Sequence, residues 1–203
     1  MIRTLIFDLG RVIVPFDFRR GYERMSRHCG LAPDEIRARL SSDGLVRRFE
    51  SGGIGPHEFH RHVGELLGAR VSYEEFCEIW FSVFLPETLI SDEFLEKLHA
   101  NYRTVLLSNT NPIHFEMIRE RYPILRHFDA LVLSYEAGAM KPDPRIYAAA
   151  VEAARCAPQE CFFTDDIPEY VEGARQAGID AVVFEGQEAL ERELAARGVR
   201  WNQ

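Results

Sequence analysis

The sequence predicts an α/β fold, in which a parallel β-sheet carries helices on both faces and a helical segment follows the first strand. Short apolar runs occur at residues 4–7, 104–107, 130–133, 161–163 and 180–184. Helical spacing of apolar residues fills the intervals after residue 112. Because strands and helices alternate there, a parallel sheet is the expected arrangement.

The predicted strands lack the alternation of apolar and polar residues that marks half-exposed strands. Residues 5–7 (Leu-Ile-Phe) and 161–163 (Cys-Phe-Phe) are continuous apolar runs. Such runs are typical of strands that are buried on both faces. The helices that cover these faces are predicted at residues 92–102, 112–121, 144–154, 168–177 and 187–197.

The segment between the first two strands is charged and has apolar residues at helical spacing, such as Phe59, Val63 and Leu66. Breaks at residues 30–33, 51–56 and 68–72 divide it into four or five short helices. We therefore predict a core domain of residues 1–14 and 87–203, and a small helical cap domain of residues 15–86.

The composition indicates an ordinary globular protein of 203 residues with a formal net charge of -8. Since no basic run offsets that charge, binding to nucleic acid or to anionic membranes is not expected. The sequence contains no run of eighteen apolar residues, so no transmembrane helix is expected. Cys29, Cys77, Cys156 and Cys161 lack metal-binding spacing, so we expect reduced thiols and a cytoplasmic location. The sequence shows no clear stripe of residues typical of a subunit interface, so it predicts no particular oligomeric state.

Polar and acidic side chains follow three of the predicted strands, at the point where each strand ends. They are Asp8, then residues 108–110 (Ser-Asn-Thr), and then Asp165 and Asp166. The carboxyl ends of parallel strands meet at one edge of a sheet, where ligands bind. Adjacent acids at a buried strand end repel each other unless a proton or a cation relieves them. Carboxylate oxygens are the ligands of hard cations, so the sequence predicts a Mg²⁺ site.

A carboxylate beside Mg²⁺ suits phosphoryl transfer, because Asp8 can accept the phosphoryl group as an aspartyl phosphate. Ser108 and the backbone N–H of Asn109 are placed to bind phosphate oxygens. Lys141, in a turn-rich loop after the third strand, can supply a fixed positive charge. The predicted substrate is therefore a small phosphorylated metabolite.

Four short motifs resemble those of the haloacid-dehalogenase superfamily, in the order in which that family carries them. They are Phe7-Asp8-Leu9-Gly10, Leu107-Ser108-Asn109-Thr110, Lys141-Pro142-Asp143-Pro144 and Phe163-Thr164-Asp165-Asp166. The helical insert lies where that family's cap is inserted, so the resemblance covers essentially the whole chain. Within the superfamily, the Asp-Leu-Gly-X-Val opening with Leu-Ser-Asn-Thr-Asn resembles the bacterial α-D-glucose-1-phosphate phosphatase subgroup most. The resemblance implies a Rossmann-like sheet with a helical cap.

The resemblance also implies a role for each motif residue. Asp8 is expected to be the nucleophile and a metal ligand, with Gly10 offering its backbone carbonyl to Mg²⁺. Asp166 is expected to bind the metal directly, and Asp165 through a water. Lys141 is expected to bridge the nucleophile and the phosphate.

The remaining expected substrate contacts lie around the first and second motifs. Ser108, Asn109 and Thr110 are expected to hold the phosphate. Asn111 follows them and is a candidate contact in the cleft. Arg11, next to the first motif, is either a solvated loop residue or a residue that steers anions towards the site.

The glycine-rich segment of residues 49–55 separates two predicted helices of the cap. It is either a simple turn between helices or a loop that covers the strand ends and reads the substrate, as the corresponding cap turn does in the relatives.

The chain departs from the family's usual phosphatase motif at Gly10. That position normally carries a second Asp, which protonates the leaving oxygen, and general acid–base help is worth roughly 10²–10⁴-fold. Its absence predicts slow turnover or a good leaving group, such as that of a sugar 1-phosphate. Alternatively, a water, a group of the cap or the substrate itself replaces it.

Two other functions remain open. A 2-haloacid dehalogenase needs no proton donor for a halide, but it has no need of the predicted metal site either. A catalytically weak protein that binds a phosphorylated ligand is the second alternative. The complete set of Asp8, Lys141 and Asp166 argues against it, since a binding protein needs no nucleophile.

Overall fold

The computed structural model describes residues 1–201, and these contain five strands and eleven α-helices. The strands are β1 (Thr4–Phe7), β2 (Arg103–Ser108), β3 (Ala130–Leu133), β4 (Cys161–Asp165) and β5 (Asp180–Val183). They form one sheet in the order β3-β2-β1-β4-β5, and every neighbouring pair is parallel. The predicted α/β fold is therefore confirmed.

The helices fall into two groups along the chain. Between β1 and β2 lie α1 (Phe18–Cys29), α2 (Pro33–Ser42), α3 (Leu45–Glu50), α4 (Pro56–Leu67), α5 (Tyr73–Phe81) and α6 (Asp92–His99). After β2 lie α7 (Pro112–Arg121), α8 (Ser134–Ala137), α9 (Pro144–Ala154), α10 (Pro168–Gln176) and α11 (Gln187–Ala196). The single turn of α8 has no counterpart in the sequence prediction, and α6 ends three residues earlier than expected.

Both faces of the sheet are buried, as the continuous apolar runs of its strands predict. Leu5 and Phe7 point to one face, where they pack with residues of α6, α7 and α11. Ile6 points to the other face and packs with Phe163 and with residues of α9 and α10. Each such side chain, wholly removed from water, contributes roughly 1.5–3 kcal/mol of transfer free energy. This packing fixes the strand ends that carry the polar residues.

The helices α1–α5 share a hydrophobic cluster that is separate from the two clusters on the sheet. Phe49 and Phe59 stack at its centre with ring centroids 4.1 Å apart. Ile113 of α7 joins the cluster, so the helical unit packs on the helix that follows β2. The break between α2 and α3 falls at Gly44, whose φ of 65° is left-handed.

Several helices begin at a polar side chain that accepts a hydrogen bond from the first turn. Asp17 accepts from the backbone N–H of Arg19 at the start of α1, and Asp143 accepts from Arg145 at the start of α9. Both residues therefore have a structural role, as helix starts. Among the described residues, every helix is too short or too polar to cross a membrane.

Candidate active site

Three carboxyl groups meet at the carboxyl end of the sheet. Asp8 directly follows β1, Asp165 ends β4 and Asp166 follows it. Carboxylate oxygens of the three residues all lie within 4.8 Å of one another. Asp8 and Asp165 are buried, while Asp166 is partly exposed. The structure thus brings together the acids that the sequence predicts as metal ligands.

Lys141 lies in the middle of this group. Its Nζ donates to Asp8 Oδ1 at 2.6 Å, to Asp165 Oδ2 at 2.5 Å and to the backbone carbonyl of Leu107 at 3.1 Å. The ammonium group is almost completely buried. An ammonium in this position holds Asp8 in place and adds positive charge beside it.

One lysine does not balance three acids. Burial raises the pKa of Asp8 to about 7; Lys141 opposes this shift and Asp165 adds to it. Burial and then the neighbouring Asp165 raise the pKa of Asp166. Burial alone would lower the pKa of Lys141, but Asp8 and Asp165 raise it on balance. The site therefore carries an excess of negative charge that is poorly compensated within the protein.

This excess charge fits a divalent cation. All three side chains offer oxygen, and such a ligand set suits Mg²⁺. In the described part of the chain, the backbone carbonyl of Gly10 accepts no hydrogen bond, so this predicted metal ligand has a free oxygen. The residues present therefore fit a magnesium ion.

The structure gives a physical reason for glycine at position 10. A Cβ atom on Gly10 would lie 2.8 Å from Cε1 of Phe16, closer than real Cβ contacts come. The Phe16 ring therefore occupies the space into which an acidic side chain at position 10 would extend. No carboxyl group fits there unless the ring moves.

The second motif positions Lys141. The Asn109 side chain donates to the backbone carbonyl of Lys141 at 3.0 Å and accepts from its backbone N–H at 2.8 Å. Ser108 is buried at the end of β2, and the backbone N–H of Thr110 donates to Ser134 Oγ at 2.9 Å. Asn109 is thus engaged through its side chain, which sequence reasoning missed because the two residues lie 32 positions apart.

Asn111 and Arg11 differ in how the structure places them. The Asn111 side chain is wholly buried and begins α7, where its Oδ1 accepts from the backbone N–H of His114 at 3.0 Å. A substrate contact by Asn111 would require this bond to break. Arg11 is exposed, and its guanidinium lies 4.9 Å from the centre of the Phe16 ring. Its charge also lowers the pKa of Asp166, against the larger effect of burial, so Arg11 lies near the acid cluster.

The glycine-rich segment of the helical unit contacts the sheet. Ser134, which follows β3, donates through Oγ to the backbone carbonyl of Glu50 at 2.6 Å. Gly52 has a φ of 75°, and a Cβ atom there would lie only 2.2 Å from the backbone carbonyl oxygen of Tyr135. Only glycine permits so close an approach of the two backbone segments. The segment is therefore docked on α8, the short helix that follows β3.

Glu50 itself was not predicted as a functional residue. Glu50 lines a cavity of about 190 Å³ inside the helical unit, together with Phe18, Tyr22 and Trp80, and His114 of α7 closes one side. Burial raises the pKa of Glu50 to about 7, with no other contribution. A lone acid at the end of a short helix gives no signal of this kind in the sequence.

Comparison with known proteins identifies the family. The model of the haloacid dehalogenase-like hydrolases matches residues 2–178. A D-ribitol-5-phosphate phosphatase from Bacteroides thetaiotaomicron is 28% identical over 201 residues, which cover 96% of this chain and 97% of that enzyme.

Solved structures agree with this match. A HAD family enzyme from Bacteroides thetaiotaomicron has a TM-score of 0.85 and 29% identity over 95% of this chain and 98% of that one. Its complex with magnesium and inorganic phosphate has a TM-score of 0.82 and 30% identity, covering 90% of this chain and 94% of that one. The resemblance seen in the four motifs is thus confirmed, and this chain belongs to the haloacid dehalogenase-like hydrolase family.

Proposed function

We propose that this protein is a magnesium-dependent phosphatase, which hydrolyses small phosphate monoesters through an aspartyl phosphate on Asp8. The observation that carries the proposal is the buried group in which the Lys141 Nζ joins Asp8 and Asp165, with Asp166 beside them. A pure binding site has no need of a carboxylate that is held ready in this way.

Each residue has a task in the proposed reaction. Asp8 attacks phosphorus, while Lys141, Ser108 and the backbone N–H of Asn109 stabilise the charge on the phosphate oxygens. The backbone N–H of Thr110, which the sequence also assigned to phosphate, donates instead to Ser134 Oγ. Asp8, Asp166 and the Gly10 carbonyl are the proposed magnesium ligands. Bound Mg²⁺ supplies positive charge that neutralises phosphate oxygens and orients the group for attack. Asp165 holds Lys141, and this contact is direct at 2.5 Å.

We propose sugar and polyol phosphates as the substrate class. The similarity to a D-ribitol-5-phosphate phosphatase along almost the whole of both chains supports this choice. We also propose that residues 15–86 act as a cap, since the end of α3 and the glycine-rich segment after it lie on α8. A cap in this position excludes water from the site and contacts the leaving group.

The dehalogenase alternative is less well supported. Both reactions use a carboxylate nucleophile, but a haloacid substrate brings no phosphate charge and needs no metal. Three carboxyl groups with oxygens within 4.8 Å of one another are costly for such an enzyme and useful for one that binds Mg²⁺.

The experiment is a measurement of inorganic phosphate release from a panel of esters, with Mg²⁺ and with a chelator. The panel contains ribitol 5-phosphate, glucose 1-phosphate, glucose 6-phosphate and para-nitrophenyl phosphate. We expect metal-dependent turnover by the wild type and none by Asp8→Asn, which keeps the shape of the side chain and loses the nucleophile.

Asp17→Asn is the matched control, because Asp17 serves only as the start of α1. It should retain the activity of the wild type. Phosphate release that continues in Asp8→Asn or in the presence of the chelator would contradict the proposal, as would the absence of release from every ester. Halide release from a 2-haloacid would favour the dehalogenase.

A further inference from the structure

The proposed reaction needs a proton for the leaving alcohol, and position 10 cannot supply it. Gly10 has no side chain, and the Phe16 ring fills the adjacent space. Departure of an alkoxide from phosphorus is slow unless a proton reaches its oxygen, and a general acid provides roughly 10²–10⁴-fold. The proton donor must then come from another element.

Most acidic groups near the strand ends are already engaged. Asp165 accepts from Lys141 and, through Oδ1, from the backbone N–H of Ile167. Asp166 is a proposed metal ligand. Burial lowers the pKa of His114 to about 4, and both of its ring nitrogens lie at hydrogen-bond distance from Asn111 and from the Trp80 carbonyl.

Glu50 differs from these groups in position and in partners. It is the last residue of α3, and its backbone is fixed by the bond from Ser134, whose Oγ also accepts from the backbone N–H of Thr110. Two hydrogen bonds thus connect Glu50 to the proposed phosphate loop. Within the described residues, no hydrogen-bond donor reaches its carboxyl oxygens.

Tyr170, on α10, is affected by both Glu50 and the active-site residues. Burial raises the pKa of the Tyr170 hydroxyl most; Asn109 and Lys141 lower it, and Asp165 and Glu50 raise it. The pKa of this hydroxyl therefore depends on both the active-site lysine and Glu50. The Lys141 Nζ lies 5.2 Å from the centre of the Tyr170 ring. Glu50, which belongs to the helical unit, is therefore close enough to the site for its charge to act on Tyr170.

The surroundings of Glu50 leave it without a charged partner. Among the described residues, the titratable groups that line the cavity with Glu50 are Tyr22 and His114, and the charge of Glu50 also acts on Tyr170 of α10. The parts of α2, α4 and α5 that line the cavity carry no titratable side chain. Arg47 and Arg48 of its own helix are exposed to solvent. Nothing here holds the carboxyl group in its charged form.

We propose that the Glu50 carboxyl replaces the missing acid at position 10, as the group that exchanges protons with the leaving alcohol and with the attacking water. The proposal rests on the phosphatase function proposed above. It assigns a catalytic residue to the cap, whereas the nucleophile and the proposed metal ligands belong to the core.

The proton and electron balance is complete without any further reactant. In the first step, an Asp8 oxygen bonds to phosphorus, the phosphorus–oxygen bond of the ester breaks, and its electron pair stays on the leaving oxygen. That oxygen takes the proton of Glu50, so the alcohol leaves neutral. In the second step, a water oxygen bonds to phosphorus and gives a proton to the Glu50 carboxylate, while the bond between phosphorus and the Asp8 oxygen breaks and its electron pair returns to Asp8. Phosphate leaves, and both Asp8 and Glu50 return to their initial states.

The test compares two esters in the Glu50→Gln variant, which keeps the size of the side chain and cannot give up a proton as an acid does. The nitrophenolate ion leaves without a proton, whereas an alkoxide needs one. For the best alkyl phosphate of the panel we expect kcat/KM to fall at least about 100-fold, and for para-nitrophenyl phosphate less than about threefold. Glu58→Gln, an exposed change on α4, is the control.

The outcomes separate this proposal from the phosphatase function. If the wild type is active and Glu50→Gln loses the same factor with both esters, or with neither, Glu50 is not the proton donor. If the wild type releases phosphate from no ester, the phosphatase function fails first. Independently of activity, an unfolding midpoint with the same pH dependence in the wild type and in Glu50→Gln would overturn the proposal, because Glu50 would then ionise as it does in water.

Discussion

Asp8 in the sheet and Glu50 in the helical unit are both carboxyl groups with a pKa raised to about 7. Their surroundings differ. Asp8 lies among charges, where burial and Asp165 favour the proton and Lys141 opposes it. Glu50 lies beside an apolar cavity, and burial is the sole cause of its shift. In two regions that contact each other, the pKa of an acid is thus raised by different causes: burial together with neighbouring charges at Asp8, and burial alone at Glu50.

This difference suits the two tasks that we propose. A nucleophile must be ionised when the substrate binds, and added positive charge from Mg²⁺ would return the pKa of Asp8 towards its ordinary value. A proton donor must keep its proton until the leaving group departs, and a neutral surrounding achieves that. The charged region should therefore respond strongly to metal ions, and the apolar region to pH.

The largest effect should follow the removal of Lys141. Lys141→Met leaves Asp8 and Asp165 without their shared buried partner, and removing one partner of a buried ion pair costs about 3–5 kcal/mol of unfolding free energy. Denaturant unfolding without metal should show this loss, and added Mg²⁺ should restore part of it.

Lys97→Met provides the comparison, because Lys97 forms an exposed pair with Glu93 on α6. Such an exposed pair contributes little to stability, because water and salt screen both charges. Equal losses of stability in the two variants would show that the charges at the strand ends do not depend on Lys141.

The next effect concerns Glu50 and pH. Its pKa is about 7 in the folded protein against 4.5 when unperturbed, so the folded state binds more protons between these values. The unfolding free energy should therefore fall as pH rises from 4.5 to 7 and stay lower above that. At about 1.4 kcal/mol per pKa unit, the full loss is roughly 3 kcal/mol.

Glu50→Gln should lack this component of the pH dependence. We expect it to match the wild type near pH 4 and to be the more stable protein at pH 8, as measured by denaturant unfolding at fixed salt. A difference between the two proteins that is constant with pH would show that the acid is not buried in solution.

The sequence was sufficient for the architecture and for the charged region. The apolar strands identify the sheet, three strand ends carry polar residues, and Lys141 lies in the loop after the third strand, so Asp8, Lys141 and Asp166 could be predicted to meet. The apolar region could not be predicted in this way. The contact of Phe16 with Gly10 and the bond from Ser134 to Glu50 are set by tertiary packing, and the second joins residues 84 positions apart.

The smallest effect tests the contact between the two regions. Gly52→Ala places a Cβ atom where only 2.2 Å separates it from the Tyr135 carbonyl oxygen, at a φ of 75°. The left-handed backbone alone costs a residue with a side chain roughly 1–2 kcal/mol, and the segment must also move away from α8.

Gly55→Ala is the matched control, since nothing lies within 4 Å of its added Cβ atom and its φ is -83°. We expect Gly52→Ala to lower the unfolding free energy by at least about 1–2 kcal/mol and to lower kcat/KM for alkyl phosphates more than for para-nitrophenyl phosphate. The reason is that the displaced segment carries Glu50 with it, whereas Asp8 and Lys141 stay in place. Kinetics like those of Gly55→Ala would mean that the position of Glu50 does not depend on this contact, and that the helical unit and the sheet act separately.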